Sequence, residues 1–272
     1  MQIKDALMYG KKILQNSSTP FLDSLILLEI VTNLPKEKIL ISENFLRNDL
    51  FDKFCDMLHL RQKNMPIQYI INRAEFMGLN FFVDKNVLIP RRDTEILVET
   101  AINYIGHKKL NVIDLCTGSG CIAIALKKFC PQISISALDI SSNAIDIAKK
   151  NSADNNVSIN FLCRDIFQSY NIFNEFDVII SNPPYISSNQ IDNLDENVKC
   201  FEPKSALDGG PDGLTFYKFI AQNINHKCKI FFEIGYDQSA AVSKILMQNK
   251  FININFVKDL ANLDRVIYAD KE

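Results

Sequence analysis

The chain has no tryptophan, only three histidines and no excess of basic residues. Each shortage removes a class of function. His59, His107 and His226 lie far apart, and the seven cysteines follow no regular spacing. A structural zinc site needs clustered thiolate and imidazole ligands, so no metal is expected. Lys and Arg number 30 against 32 Asp and Glu, for a net charge of −2. That balance lacks the basic footprint of a dedicated nucleic-acid binder, and no direct nucleic-acid contact is expected. No apolar run approaches the roughly 20 residues that a membrane-crossing helix requires. The odd set of cysteines suits reduced, mostly buried thiols in a cytoplasmic compartment.

What remains is ordinary globular material, 47% hydrophobic and 23% charged over 272 residues, with 19 Phe supplying most of the aromatic filling. The length suits one large domain and one small one. Residues 1–72 read as a small helical domain. Ile3, Ala6, Leu7, Ile13 and Leu14 share one helical face, and Asp5 without any nearby Arg marks a folded helix rather than a transit peptide. Thr19-Pro20 signals a helix start, Leu22 to Leu34 carries an apolar run, and Asn48 to Arg61 gives a further helix. Residues 73–90 alternate around Gly78 as a β-hairpin linker, and a helix starts near Asp93 or Thr94. From residue 110 to the end, the third region (91–272) alternates short β runs with amphipathic helices. Predicted strands are 111–115, 133–138, 158–162, 176–181, 229–234, 252–256 and 265–269. Predicted helices are 121–129, 142–152, 214–225 and 238–249. Such alternation argues for an α/β fold with a doubly wound parallel sheet.

Asp114-Leu115-Cys116-Thr117-Gly118-Ser119-Gly120 follows the first of these strands and opens a helix. In an open α/β sheet a ligand binds in that crevice, where glycines let backbone approach it closely. Asp139 ends the next strand, placed to accept from a ribose diol. This is a nucleoside-cofactor signature. Gly118, Gly120 and Ala123 also fit the dinucleotide spacing, so NAD stays open on the loop alone. Asp165, followed by Ile166 and Phe167, closes the third strand. It reads either as an adenine clamp or as a solvated strand end.

Phe176 to Ser181 is a buried strand, and Asn182-Pro183-Pro184-Tyr185 follows at once. Two prolines remove two N–H donors and fix φ, and Asn182, preceding proline, is pushed to extended backbone. The corner is stiff and rich in acceptors. A lone Pro-Pro would be read as a rigid turn, but this one lies a loop away from the cofactor crevice. It suits methylation of a planar amide or amino nitrogen: two acceptors hold the two N–H bonds, and Tyr185 packs on the flat face.

At these residues the chain resembles the HemK-type glutamine N5-methyltransferases of peptide chain release factors. The likeness covers nearly the whole sequence. It runs through 65–69, 88–95, 114–120 and 181–186. It continues through Glu202-Pro203, 206–210, 212–214, 233–235, Asp259 and Arg265-Val266. The resemblance implies a Rossmann-like S-adenosylmethionine methyltransferase sheet of seven mostly parallel strands, the last antiparallel, with a small all-α N-terminal domain. It implies S-adenosyl-L-methionine as cofactor and the glutamine of a Gly-Gly-Gln tripeptide as acceptor. A monomer is expected, with the helical domain gripping the release factor. By the same carry-over, Cys116, Thr117, Gly118, Ser119, Gly120 and Asp139 contact the cofactor; Asp165 and Ile166, from their place after the third strand, are the candidates for its adenine. Asn182 touches both cofactor and substrate, and Pro183, Pro184 and Tyr185 line the glutamine slot. A ribosomal-protein glutamine methyltransferase and a nucleic-acid amino methyltransferase are the rival readings. Three departures stand out. Cys116 replaces the usual Gly, so positive φ is not expected there. Ile166 replaces a common aromatic, so weaker adenine packing is expected. Arg92 replaces a usual Pro.

Overall fold

The computed structural model describes residues 1–272, the side chain of Tyr170 aside. It divides into two units, Met1–Asn72 with Asp195–Phe201, and Arg73–Leu194 with Glu202–Glu272.

The smaller unit is helical, and its elements follow from apolar spacing. α1 (Ile3–Ile13) buries Ile3, Ala6, Leu7 and Gly10 along one stripe. α2 (Pro20–Thr32) opens on Pro20, whose fixed φ and missing N–H are tolerated in a first turn. It ends at Asn33 in a left-handed cap, φ 53°. α3 (Lys36–Ile41), α4 (Asn48–Gln62) and the short α5 (Ile67–Ile70) complete the set. Leu27, Leu28, Ile39 and Phe54 have no exposure at all. One polar knot lies beside this core. Asp23 is buried, and its carboxylate accepts from Ser17 Oγ (2.7 Å), Thr19 Oγ1 (2.9 Å) and Arg61 Nε (2.8 Å). A buried carboxylate is tolerated only when so satisfied. The knot ties the start of α2 to the end of α4.

The larger unit begins with a hairpin, β1 (Ala74–Phe76) and β2 (Leu79–Phe81). Met77 (φ 52°) and Gly78 (φ 71°) both take the left-handed conformation that a two-residue turn of this hand requires. After it come α6 (Arg92–Ile105), β3 (Asn111–Leu115), α7 (Cys121–Phe129), β4 (Ser134–Asp139), α8 (Ser142–Asp154), β5 (Asn160–Cys163) and β6 (Val178–Ser181). The short α9 (Glu196–Lys199) belongs to the smaller unit, where Asn64 Nδ2 donates to Glu196 Oε2 at 2.9 Å. α10 (Thr215–Asn223), β7 (Cys228–Glu233), α11 (Ser239–Gln248), β8 (Phe251–Lys258) and β9 (Asp264–Lys271) finish the chain. Segment 73–90, expected as a linker, is bonded into the larger unit. Asn151 of α8 takes the Phe82 N–H (2.7 Å) and donates to the Phe82 carbonyl (3.0 Å).

The seven strands run β5-β4-β3-β6-β7-β9-β8. β3 to β7 pair in parallel, and β9 is antiparallel to both β7 and β8. β6 and β7 are buried along their whole length, which is why they read as near-continuous apolar runs. From β3 the chain winds outward through β4 and β5, then returns to place β6 on the other flank of β3. The reversal makes β3 and β6 the switch point, and ligands bind outside the carboxyl ends of strands at such a point. Leu115 and Ser181 are partners in register, and Ser181 Oγ donates to the Leu115 carbonyl at 2.6 Å. The residues that follow, Cys116 and Asn182, therefore leave the sheet side by side.

Candidate active site

A cavity of about 170 Å³ opens at this switch point. Its floor is the loop after β3, where Cys116 (φ 61°), Gly118 (φ 54°) and Gly120 (φ 80°) are all left-handed. The expectation that Cys116 avoids positive φ is thus overturned. Such a conformation costs a non-glycine residue on the order of 1–2 kcal/mol. Two hydrogen bonds from the residues just after it to β4 hold the turn: Thr117 N–H donates to the Leu138 carbonyl (3.0 Å), and Gly118 N–H donates to Asp139 Oδ2 (2.8 Å). Thr117 Oγ1 donates to Asp114 Oδ2 (2.5 Å), tying the loop back to β3. Asp114 has no exposure, and burial pushes its carboxyl up to about 7, the Thr117 bond opposing. Burial, with the charges of Asp139 and Asp114, also raises the Cys116 thiol far above the ordinary range, so the sulfur stays protonated.

Glycine is strongly favoured at Gly120, where φ is 80°. A Cβ there would lie 3.0 Å from Ala148 Cβ and 3.1 Å from Ile124 Cδ1. At Gly118 a Cβ would meet nothing within 4 Å. That open space is the cavity itself, so the loop presents bare backbone to whatever enters. Asp139 stands at the end of β4, its Oδ1 accepting from Ser141 N–H at 2.9 Å. With one backbone N–H on each oxygen, the carboxylate still has acceptor capacity toward the cavity. Apolar walls beside a strand-end carboxylate and a bare glycine loop fit a nucleoside carrying a short charged chain.

At the far end Asp165, Ile166 and Phe167 line the same cavity. The Asp165 carboxylate caps the short helical turn 166–168, accepting from Phe167 N–H (2.9 Å) and Gln168 Nε2 (3.0 Å). Ile166 is buried. The aromatic surface that it lacks comes from Phe167 and Phe216, whose ring centroids are 5.1 Å apart.

Asn182 and Pro184 contribute another wall of the same cavity. Pro183 and Pro184 are buried, while Tyr185 lines an adjoining groove with Arg265. Asn182 Nδ2 donates to Thr94 Oγ1 at 3.2 Å, and Thr94 Oγ1 donates to Glu233 Oε2 at 2.6 Å. Tyr185 Oη donates to Glu233 Oε1 at 3.4 Å. Glu233, 1% exposed, is pushed up to about 7 by burial, with the Thr94 bond and the Arg265 charge opposing. Arg265 in turn reaches Asp259 (3.1 Å) and Asp93 (3.5 Å). Behind the corner lies a second loop. A Cβ on Gly213 would sit 2.3 Å from the Tyr185 carbonyl oxygen, so only glycine allows so close an approach.

The sequence motifs now acquire partners. Arg91 Nη2 meets Glu202 Oε1 at 2.5 Å, holding together two segments that both line the cavity, through Leu88 and Pro203. Of the residues expected at the site, Cys116, Gly118, Asp139, Asp165, Ile166, Asn182 and Pro184 line one cavity. Thr117, Ser119, Gly120 and Pro183 are buried and do not line it. Thr94, Glu233 and Phe216 were missed as site residues. Glu233 left one signal: an acid ending an apolar strand run, as at Asp139. No group of three His, Cys, Asp or Glu able to hold a metal occurs among the described residues.

A family model described as "Methyltransferase small domain" matches residues 92–198, and one described as "PrmC N-terminal domain" matches residues 5–71. A release factor glutamine methyltransferase of Clostridium acetobutylicum is 39% identical over 99% of this chain and 98% of its own length. One from Clostridium botulinum is 39% identical over the whole of both chains. Among solved structures, the T. thermophilus 16S rRNA N2 G1207 methyltransferase in complex with AdoMet and guanosine shares the fold. It has a TM-score of 0.51 and 16% identity, over 74% of this chain and 50% of that one. With its helical unit, its switch-point cavity and these full-length relatives, the chain belongs to the release factor glutamine methyltransferase family.

Proposed function

We propose that this enzyme transfers the methyl group of S-adenosyl-L-methionine to the side-chain amide nitrogen, N5, of the glutamine in the Gly-Gly-Gln tripeptide of peptide chain release factors. The observation that carries the reading is a single cavity lined both by the glycine-loop wall of Cys116, Gly118 and Asp139 and by the proline-corner wall of Asn182 and Pro184. A cofactor cradle and an acceptor-rich corner share one space there.

S-adenosyl-L-methionine supplies an electrophilic methyl on a sulfonium. The remaining work falls to this chain. Residues 116–120 and Asp139 hold the cofactor, Asp139 accepting from its ribose, while Ile166, Phe167 and Asp165 take the adenine. An amide nitrogen is a poor nucleophile, its lone pair being shared with the carbonyl. Asn182 Oδ1 and the Pro183 carbonyl accept from its two N–H bonds and stabilise the positive charge that develops as the methyl arrives. Tyr185 packs against the flat face of the amide. No strong base is needed, because the methylated amide cation sheds its proton readily. Rate comes from in-line placement within a stiff corner. The helical unit, residues 1–72, grips the release factor, and the enzyme acts as a cytoplasmic monomer without direct nucleic-acid contact.

Incubation of the enzyme and labelled cofactor with purified release factor, ribosomal proteins and nucleic acid, followed by mass spectrometry, tests this. The expected result is one methyl on the release-factor glutamine. Methyl on ribosomal protein or nucleic acid alone would replace the substrate assignment.

A further inference from the structure

We propose that Thr94 and Glu233 are positioning residues that decide which end of the Asn182 carboxamide faces the acceptor, and so make the site select an amide over a carboxylate. The proposal rests on the functional reading above.

A carboxamide has two ends of nearly equal shape and opposite hydrogen-bonding character, and turning it over exchanges an acceptor for two donors. Nothing in the proline corner itself prevents that exchange. The buried relay behind it does. Thr94 Oγ1 carries a single proton. Glu233 Oε2 lies 2.6 Å away, and the other carboxylate oxygen, Oε1, faces the Tyr185 hydroxyl. Ionised, Glu233 can only accept. The Thr94 proton therefore points at Glu233, leaving the Thr94 oxygen to act only as an acceptor toward Asn182. Asn182 must turn its NH₂ to Thr94, at 3.2 Å, and its Oδ1 the other way. Thr94 is buried and Glu233 almost fully so, which leaves little water to substitute for either bond.

The polarity of the corner follows. With Oδ1 turned away from Thr94 to join the Pro183 carbonyl assigned to the slot above, the slot offers acceptors only. A glutamine NH₂ satisfies both. A glutamate carboxylate, nearly the same shape, brings a third acceptor among two. Sites built around specific hydrogen bonds reject mismatched isosteres far better than shape alone can. Without the relay, Asn182 is free to turn over and donate to a carboxylate, and the discrimination shrinks.

The test compares full-length wild type with Thr94→Val, Thr94→Ala and Thr94→Ser. The probes are intact release factor carrying Gly-Gly-Gln and its Gly-Gly-Glu variant, with affinity measured calorimetrically beside kcat, KM and cofactor affinity. Wild type should favour the glutamine form by about 100-fold or more. Thr94→Val and Thr94→Ala should each cut that ratio about tenfold and lower kcat by about 10 to 100-fold, with cofactor affinity held within about twofold. Thr94→Ser, which keeps the hydroxyl, should restore both. A merely structural role would weaken the two probes alike. An unchanged ratio in a cofactor-binding Val or Ala variant, or no rescue by Ser, overturns the inference. Failure of wild type to bind or methylate the Gly-Gly-Gln factor overturns the functional reading instead. Should Val fail to fold, shown by loss of the cofactor-induced thermal shift, the smaller Ala variant decides.

Discussion

The two walls of the cavity are built on the same plan and end differently. Each rests on a buried carboxylate pushed up to about 7, Asp114 under the glycine loop and Glu233 under the proline corner. Each carboxylate receives a threonine hydroxyl, from Thr117 and Thr94 respectively. At the glycine loop the arrangement fixes backbone, since Thr117 also holds Leu138 and accepts from Gly120 N–H. At the proline corner it passes on to a side chain, Asn182. The cofactor wall is thus a matter of φ and N–H direction and tolerates an unusual side chain such as Cys116. On the proposed reading the acceptor wall depends on one carboxamide.

The largest effect expected from this contrast is at Asn182. Asn182→Ala should lower kcat by about 10²–10³-fold, as loss of one preorganised polar group does, while cofactor affinity stays within a few-fold. Equal losses in both would erase the distinction between the walls; single-turnover kinetics and calorimetry measure them. Next comes the pH dependence of stability. Asp114 is raised from 3.8 to about 7, so between those values the native state holds a proton that the unfolded chain has released. Its contribution is present in full below about 4 and is lost as pH rises through about 7, on the order of a few kcal/mol. Asp114→Asn should flatten that part of the Tm profile.

On the acceptor wall the same shift should appear in rate. Glu233 faces Asp93 and Thr94 from α6, Arg265 from β9 and Tyr185 from the corner, and its charge is felt by Cys121 and Tyr217. Only its ionised form fixes the Thr94 proton, so kcat should climb as pH rises through about 7, and a kcat profile flat across that range would contradict the relay. Gly120→Ala, strained at φ 80° and crowded by Ala148, should weaken cofactor binding about tenfold and leave acceptor discrimination alone. The smallest change is at Cys116. Cys116→Gly should shift stability by less than about 1 kcal/mol, left-handed strain relieved against unfolded-state entropy gained. Cys116→Val, β-branched at φ 61°, should cost about 1–3 kcal/mol in denaturant unfolding.

Much of this was legible in the chain. Strand and helix periods placed β3 and α7 to the residue, because buried parallel strands and amphipathic helices each write a distinct pattern. Ends were less clear: β5 starts at Asn160, two residues after its polar entry suggested. The cofactor wall could be read because its signal is local, one loop between one strand and one helix. Cys116 misled because φ there is imposed by β4, a neighbour in space. Thr94 and Glu233 stand 139 residues apart, and no local spacing announces their bond.

The stiffness of Asn182-Pro183-Pro184-Tyr185 has a further consequence for turnover. On the proposed reading, substrate brings two N–H groups to two fixed acceptors. The product brings one N–H and a methyl. A corner that could flex would close on the single donor and keep it. This one leaves an acceptor facing a methyl, a mismatch worth about 1–3 kcal/mol. The product is therefore held less tightly than the substrate, leaves, and is not presented for a second methyl.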